Sequence, residues 1–236
     1  MMETRNEPTD WELAEIGLAH SRVVFLSGRP GVGKSYAAIH YATNGREVVS
    51  TTMTPETPSA ESRGMYMPKG GEFIWSDGLM VRAMLEGARL IINEISHASE
   101  DVLAFLYPVL ESPETARVTL PNGATIAPAE GFQCVVTDNH DIRTLLPALQ
   151  SRLITRVHIE RPHPDAIALL PERYRRAAEK SFDIDEHDPR ATTLRAWQNV
   201  GDLTEKGVDE RTAFLLTFGR EQGQMVWESV ALSEAK

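Results

Sequence analysis

One cysteine, few aromatics and a deficit of positive charge mark this 236-residue chain. The lone thiol, Cys134, has no partner for an internal disulfide and lies in an apolar run. It reads as a small buried hydrophobe, which excludes a disulfide-stapled scaffold. No stretch approaches the roughly 18 uninterrupted apolar residues that a membrane span requires. Residues 1–10 are polar and lack an apolar signal core, so the cytoplasm is the expected compartment. Lysine and arginine number 24 against 34 acidic residues, a formal net charge of −10. A chain whose main work is to grip a nucleic-acid backbone usually shows a basic face, so this charge argues against that class and reads as solubility. His97, His140, His158 and His163 show no metal-ligand spacing.

What is present is ordinary globular material, 42% hydrophobic and 25% charged, enough for one sizeable α/β domain and a small appendage. Short apolar, β-branched runs at residues 23–27, 47–51, 89–93, 132–137 and 154–159 read as five strands. Helical patterns lie between them, including 35–42 and a run in which Val102, Phe105, Leu106 and Val109 recur at helical spacing. The alternation predicts a three-layer α/β core around a five-stranded, mostly parallel sheet. Two segments interrupt it. Residues 52–71, rich in Pro, Ser, Gly and Met, read as a long loop or small insertion. Residues 117–126 read as a hairpin turning at Pro121-Asn122-Gly123. Beyond residue 161 strands give way to helices, clearest at 188–200, with Asp188 as N-cap and Pro189 following, and at 210–218. The expected domains are a core at 1–160 and a helical lid at 161–236.

The strongest local signal is Gly28-Arg29-Pro30-Gly31-Val32-Gly33-Lys34-Ser35, which fits G-x-x-x-x-G-K-[ST] between a strand and a helix. The glycines allow the backbone, with Pro30, Val32 and the following Tyr36, to wrap closely around phosphate oxygens. Lys34 supplies a point charge to the β- and γ-phosphates, and the Ser35 hydroxyl is a ligand for Mg²⁺. ATP with magnesium is the expected cofactor pair.

Strand 89–93 delivers Asn93-Glu94. An acidic pair at this place completes a phosphate-loop ATPase site. Glu94 is the candidate general base. Asn93 stands on the metal side as a neutral amide, able to accept from a metal-bound water but adding no charge. Just past the fourth strand, Asn139 is placed to point toward the γ-phosphate, because ligands of open parallel sheets sit beyond the strands' carboxyl ends. Residues 145–153 read as a helix carrying Arg152, a candidate to reach a neighbouring subunit's site and neutralise transition-state charge.

With these residues in hand, the chain resembles the AAA+ ATPases, specifically the MoxR-like group with a helix-2 insertion. The phosphate loop looks like that family's Walker A and residues 90–94 like its Walker B, with Asn93 where the usual residue is Asp. Gly64, the Glu72-Phe73-Ile74-Trp75 segment and Gly78 look like the stretch leading out of the helix-2 insertion. The 117–126 hairpin is similar to the one preceding sensor 1, and Asn139 falls on sensor 1. Arg152 falls on the arginine finger, with Ser151 replacing the acid that often precedes it. Asp188-Pro189-Arg190, Leu194, Trp197, Ala213-Phe214 and Leu216-Thr217-Phe218 are similar to the lid of the cobaltochelatase ATPase subunit. That likeness makes Arg190 the sensor 2 arginine, with Arg195 as a competitor. The resemblance implies a hexameric ring with ATP at subunit interfaces and a separate partner protein carrying a von Willebrand A domain.

Three functions fit these residues. The first is a mechanochemical ATPase that remodels or activates a partner, in metal insertion or enzyme maturation. The second is a nucleic-acid motor or helicase loader, disfavoured by charge. The third is a nucleotide-binding assembly factor with little turnover, suggested by Asn93. A small-molecule kinase would leave Asn139, Arg152 and the lid unexplained. Met65, Tyr66, Met67 and Lys69 form a mixed patch that either grips a substrate or packs on its own subunit.

Overall fold

Thr9 opens the first helix through a reciprocal cap: its hydroxyl accepts from the Glu12 N–H at 3.2 Å, and the Glu12 carboxylate accepts from the Thr9 N–H at 2.7 Å. A computed structural model describes residues 7–185, 188 and 191–234. After α1 (Asp10–His20) come β1 (Val23–Gly28), α2 (Lys34–His40), β2 (Val48–Thr52), α3 (Ser59–Arg63), β3 (Gly64–Lys69), β4 (Glu72–Asp77), α4 (Leu79–Glu86) and β5 (Arg89–Asn93). Then follow α5 (Glu100–Val109), β6 (Val118–Thr119), β7 (Thr125–Ile126), β8 (Gln133–Thr137), α6 (Pro147–Gln150) and β9 (Thr155–Ile159). The chain continues through α7 (Pro164–Ala168), α8 (Glu172–Ser181), α9 (Leu194–Glu205), α10 (Glu210–Phe218) and α11 (Arg220–Glu234).

The five expected strands form one sheet in the order β2-β5-β8-β1-β9, and the β2/β5, β5/β8 and β1/β8 pairings are parallel. The register sets Thr52 beside Asn93 and Asn93 beside Thr137, so the carboxyl ends of three strands finish level. The connection leaving β1 runs to the far edge at β2, whereas the one leaving β8 crosses β1 to reach β9. Connections that part in opposite directions leave a crevice outside the carboxyl ends of β1 and β8, where ligands of open α/β sheets bind.

Side chains alternate across the sheet. Phe25, Leu90, Ile92, Cys134 and Val136 join one continuous apolar cluster with Met80, Met84, Leu103 and Leu106 of α4 and α5. Val24, Leu26, Ile91 and Val135 are equally buried on the other face. There, Gly17 of α1 lets the helix settle onto Val24 and Thr155. Cys134 is fully buried, as its apolar context implied, and burial pushes its thiol up to about 12.

A buried cation ties the helices to the sheet. Arg89 at the start of β5 is wholly shielded from solvent, and burial, with a lesser push from Arg46, brings its guanidinium down to about 10. It donates to Gln133 Oε1 at 2.6 Å, to the carbonyls of Ala38, Tyr41 and Ala42 at the end of α2, and to that of Leu18 in α1. Gln133 adds bonds to the Leu18 and Ser21 carbonyls. These are helix-terminal carbonyls that lack partners within their own helices, at the end where positive charge is favoured.

The stretch 52–71, expected as a long loop or small insertion, has regular structure of its own. It holds the short helix α3 and a hairpin, β3 with β4, paired over six residues a side and reaching Asp77. Gly70 and Gly71, at φ of 62° and 89°, form its two-residue turn. Met65, Met67 and Ile74 share one face and Tyr66, Phe73 and Trp75 the other; all but Trp75 are among the chain's exposed large hydrophobics. With apolar groups on both faces, no period of two appears in the sequence, which hid the strands. The smaller hairpin, β6 with β7, forms as expected, with Gly123 at φ 87°.

Two further helices differ from expectation. Within 145–153 only α6, Pro147–Gln150, is helical, because Pro147 holds Leu146 extended and starts the helix late. Arg152 therefore lies in the turn that follows. α9 begins at Leu194 and not near residue 188; Thr193 is its N-cap, accepting from the Ala196 N–H at 3.2 Å. Pro189 and Arg190 fall outside the described residues.

The backbone divides into two compact units, Met1–Gly28 with Lys34–His158, and Arg29–Gly33 with Ile159–Lys236. The second centres on Tyr174, Trp197, Phe214 and Phe218, whose ring centroids lie 5.7–6.2 Å apart in mostly edge-on pairs. Trp197 Nε1 donates to Thr192 Oγ1 at 2.6 Å, and Tyr174 donates to Glu210 at 2.8 Å.

Replacing Arg89 by methionine takes the Arg89 donor from the carbonyls of Ala38, Tyr41 and Ala42 and from Gln133 Oε1, while the Leu18 carbonyl keeps Gln133 Nε2. Urea unfolding should register a loss of roughly 3 kcal/mol. Loss of less than about 1 kcal/mol would show that the guanidinium does not brace the helices.

Candidate functional site

β1 ends in Gly28 at φ 134°, and Gly31 and Gly33 follow at 79° and 112°, in a region that side chains with a Cβ rarely enter. This curls the loop back into α2. Val32 is buried, Pro30 is exposed and Tyr36 is 61% exposed, its ring 4.3 Å from that of His40. Lys34 is only 7% exposed. Its ammonium donates to the Gly28 carbonyl at 2.7 Å and to Asn139 Oδ1 at 2.9 Å. Burial lowers Lys34 to about 8, against the pull of the Glu94 and Asp138 carboxylates.

Asn139 acts as a bridge. Lysine can only donate, so the amide oxygen must face it, which turns Nδ2 toward Glu94. Nδ2 lies 2.8 Å and 3.0 Å from the two Glu94 oxygens. Glu94 itself sits in the left-handed region, φ 57° and ψ 51°, an uncommon conformation for a residue with a side chain. That backbone turn breaks the line of β5 directly after Asn93.

Asn93 faces the other side. Its Oδ1 accepts from the hydroxyls of Ser35 at 2.8 Å and Thr137 at 2.9 Å. Its Nδ2 donates to Ser50 Oγ and the Thr51 carbonyl, both at 3.1 Å. Lys34, Ser35, Asn93, Glu94 and Asn139 thus meet at the carboxyl edge of the sheet.

Asp138 was missed by sequence reasoning. It is fully buried and accepts from the N–H groups of Ser96 at 2.7 Å and His140 at 2.9 Å, and pairs with His140 Nδ1 at 2.9 Å. Burial opposes its charge, but these donors outweigh burial and hold its carboxyl below the usual value. It clips the turn carrying Glu94 to the loop carrying Asn139. The available signal was an aspartate two residues before a backbone N–H it could cap.

Arg152 does not join this group. It pairs with Glu111 at 2.6 Å, donates to the Tyr107 and Ala148 carbonyls, and lies 5.1 Å from the Tyr107 ring centre. Arg195 is exposed in the first turn of α9, and Arg190 is outside the described residues. Among the described residues, no group of three or more His, Cys, Asp or Glu could hold a metal, and no helix is long and apolar enough to cross a membrane.

The residues present fit a magnesium nucleotide. A buried ammonium and three positive-φ glycines suit phosphate, while the Ser35 hydroxyl and the Asn93 amide oxygen, 2.8 Å apart, are oxygen donors of the kind Mg²⁺ takes.

Fold and loop together define a phosphate-loop nucleotide-binding protein. The profile of the AAA domain (dynein-related subfamily) matches residues 23–153, more than half of the chain, and the chain belongs to that family. Within it the relationship is to the MoxR-like AAA+ ATPases. Protein NorQ of Paracoccus denitrificans (strain Pd 1222) is 31% identical over 158 residues, 64% of this chain and 57% of NorQ. Midasin of Dictyostelium discoideum is 28% identical over 129 residues, 52% of this chain but 2% of midasin. The chain therefore spans little more than half of NorQ and a small fraction of midasin. NtrX from Brucella abortus, crystallised in complex with ADP, shares the fold at a TM-score of 0.57 and 16% identity, covering 85% of this chain and 50% of NtrX.

A lysine lowered from 10.5 to about 8 on folding costs stability while it is charged. The cost is complete below pH 8 and fades as pH rises from 8 to 10.5, because there the unfolded chain holds the extra proton. Nucleotide-free Lys34→Met should therefore melt above the wild type at pH 7. The gap should narrow steadily toward pH 10, and a gap independent of pH would contradict the buried charge.

Proposed function

We propose that this chain is an ATP-hydrolysing, ring-forming subunit that remodels or activates a separate partner protein, with metal insertion or enzyme maturation as the class of task. The observation that carries the reading is the continuous hydrogen-bonded set Lys34–Asn139–Glu94, with Ser35–Asn93 beside it. In this reading residues 1–160 are the ATPase core and 161–236 the lid, working in the cytoplasm as a hexamer. The partner carries a von Willebrand A domain.

Gly28, Pro30, Gly31, Val32, Gly33 and Tyr36 shape the phosphate loop. Lys34 holds the β- and γ-phosphates, exchanging its present partners for phosphate oxygens. Ser35 offers its hydroxyl to the metal, with Asn93 behind it. Magnesium, when bound with nucleotide, supplies positive charge to the phosphate oxygens. Glu94 orients the attacking water and takes its proton, and Asn139 fixes the carboxylate for that work. Arg152 serves a neighbouring subunit's site and must leave Glu111 to do so. Arg190 is the lid's contribution, with Arg195 as its competitor.

Asn93 favours a second reading, an assembly factor that binds nucleotide and turns over little, since the site lacks one negative charge beside the metal. Turnover separates the two. Glu94→Gln should keep ATP affinity within about threefold and lower hydrolysis roughly a hundredfold. If the wild type binds ATP yet hydrolyses it no faster than this variant, the motor reading gives way to the second. Arg152→Ala should likewise bind ATP and lose hydrolysis, on the order of a hundredfold or more. Wild-type turnover in that variant would remove Arg152 from the site. Capture of a bound protein by Glu94→Gln from the native source identifies the client, and ATPase stimulation by DNA or RNA would instead favour a nucleic-acid motor.

A further inference from the structure

The side chain of Asn93 is held in one orientation by its neighbours. The Thr51 carbonyl can only accept, so the group facing it at 3.1 Å must donate. That assigns Nδ2 to the β2 side, where Ser50 Oγ lies at 3.1 Å, and turns Oδ1 toward the hydroxyls of Ser35 and Thr137. All four contacts are satisfied together. A carboxylate in the same place would set an oxygen against the Thr51 carbonyl with no proton between them, leaving two acceptors face to face. The surroundings of residue 93 are therefore complementary to an amide and unfavourable to an acid.

The charge around it is arranged to match. Lys34 is the cation of the network, and Glu94 and the buried Asp138 already provide two carboxylates that act on it. An aspartate at 93 would add a third negative group beside Ser35, repelling phosphates when no cation intervenes and drawing a cation in when one is available. The oriented amide avoids both effects.

Resting on the nucleotide reading above, the geometry points to Asn93 as the residue that sets metal dependence: this site takes a nucleoside triphosphate with little help from magnesium. Asn93 is here a positioning residue for Ser35, and its neutrality uncouples nucleotide affinity from the metal. The residue acts on binding and on the nucleotide-free fold alike, so both can be measured without turnover.

The test is calorimetric titration of ATP into the nucleotide-free full chain, in magnesium and in EDTA, for the wild type, Asn93→Asp and Asn93→Ala. Melting curves of the three nucleotide-free proteins accompany it. The wild-type dissociation constant should rise less than about tenfold on removing magnesium, and the ratio should be on the order of tenfold larger in Asn93→Asp. Asn93→Ala adds no charge and should keep the small ratio, while both variants melt below the wild type. A wild-type ratio of a hundredfold or more overturns the inference whether or not either variant folds. So does an Asn93→Asp ratio equal to that of the wild type. Absence of ATP binding by a wild type that melts normally overturns the nucleotide reading itself, and this inference with it.

Discussion

A nearly buried ammonium governs the arrangement of the site. Lys34 cannot be left charged in low dielectric without oxygen partners, and the chain provides them from three directions. The Gly28 carbonyl comes from the loop itself, the Asn139 amide from the end of β8, and the field of Glu94 and Asp138 from behind. Asn139 is oriented because Lys34 requires its oxygen. Glu94 is oriented because Asn139 then has only its amino group to give. The order of dependence runs from cation to amide to carboxylate, and each step follows from donor and acceptor chemistry.

The same logic on the neighbouring strand makes the departure at Asn93 coherent. The amide bonds β2 through its donors and the start of α2 through its acceptor. One side chain thereby links three elements that converge at the carboxyl edge. Asp138 performs a similar service out of reach of solvent, joining the turn after β5 to the loop after β8. The groups gathered at the carboxyl edge are thus held by further polar residues whose own bonds are complete. Among the described residues no buried side-chain nitrogen or oxygen lacks a partner.

Much of this was legible in the sequence, for definite reasons. Strands buried on both faces are written as β-branched runs, and a phosphate loop needs glycine at fixed offsets, so the sheet, the loop and Asn93, Glu94 and Asn139 could all be placed. Helix ends and paired elements depend on bonds between distant residues and were less visible. α6 starts late at Pro147, and α9 is capped by Thr193 where Asp188 with Pro189 offered the local cap signal. The β3–β4 hairpin was hidden because both of its faces are apolar. The roles of Arg89 and Asp138 depend on carbonyls and N–H groups that only the fold brings around them.

Arg89 opens one short strand and Asn93 closes it, with Glu94 in the turn directly after. The arginine clamps the entry of β5 to both helix ends, and β2 and β8 grip its length on either side. A strand held this way has no slack along its axis: it behaves as a stator. Its far end presents Asn93 to the Ser35 hydroxyl at 2.8 Å, and the chain turns away directly after it at Glu94. This fixed reference is five residues long, and its anchor is a charged side chain wholly shielded from solvent.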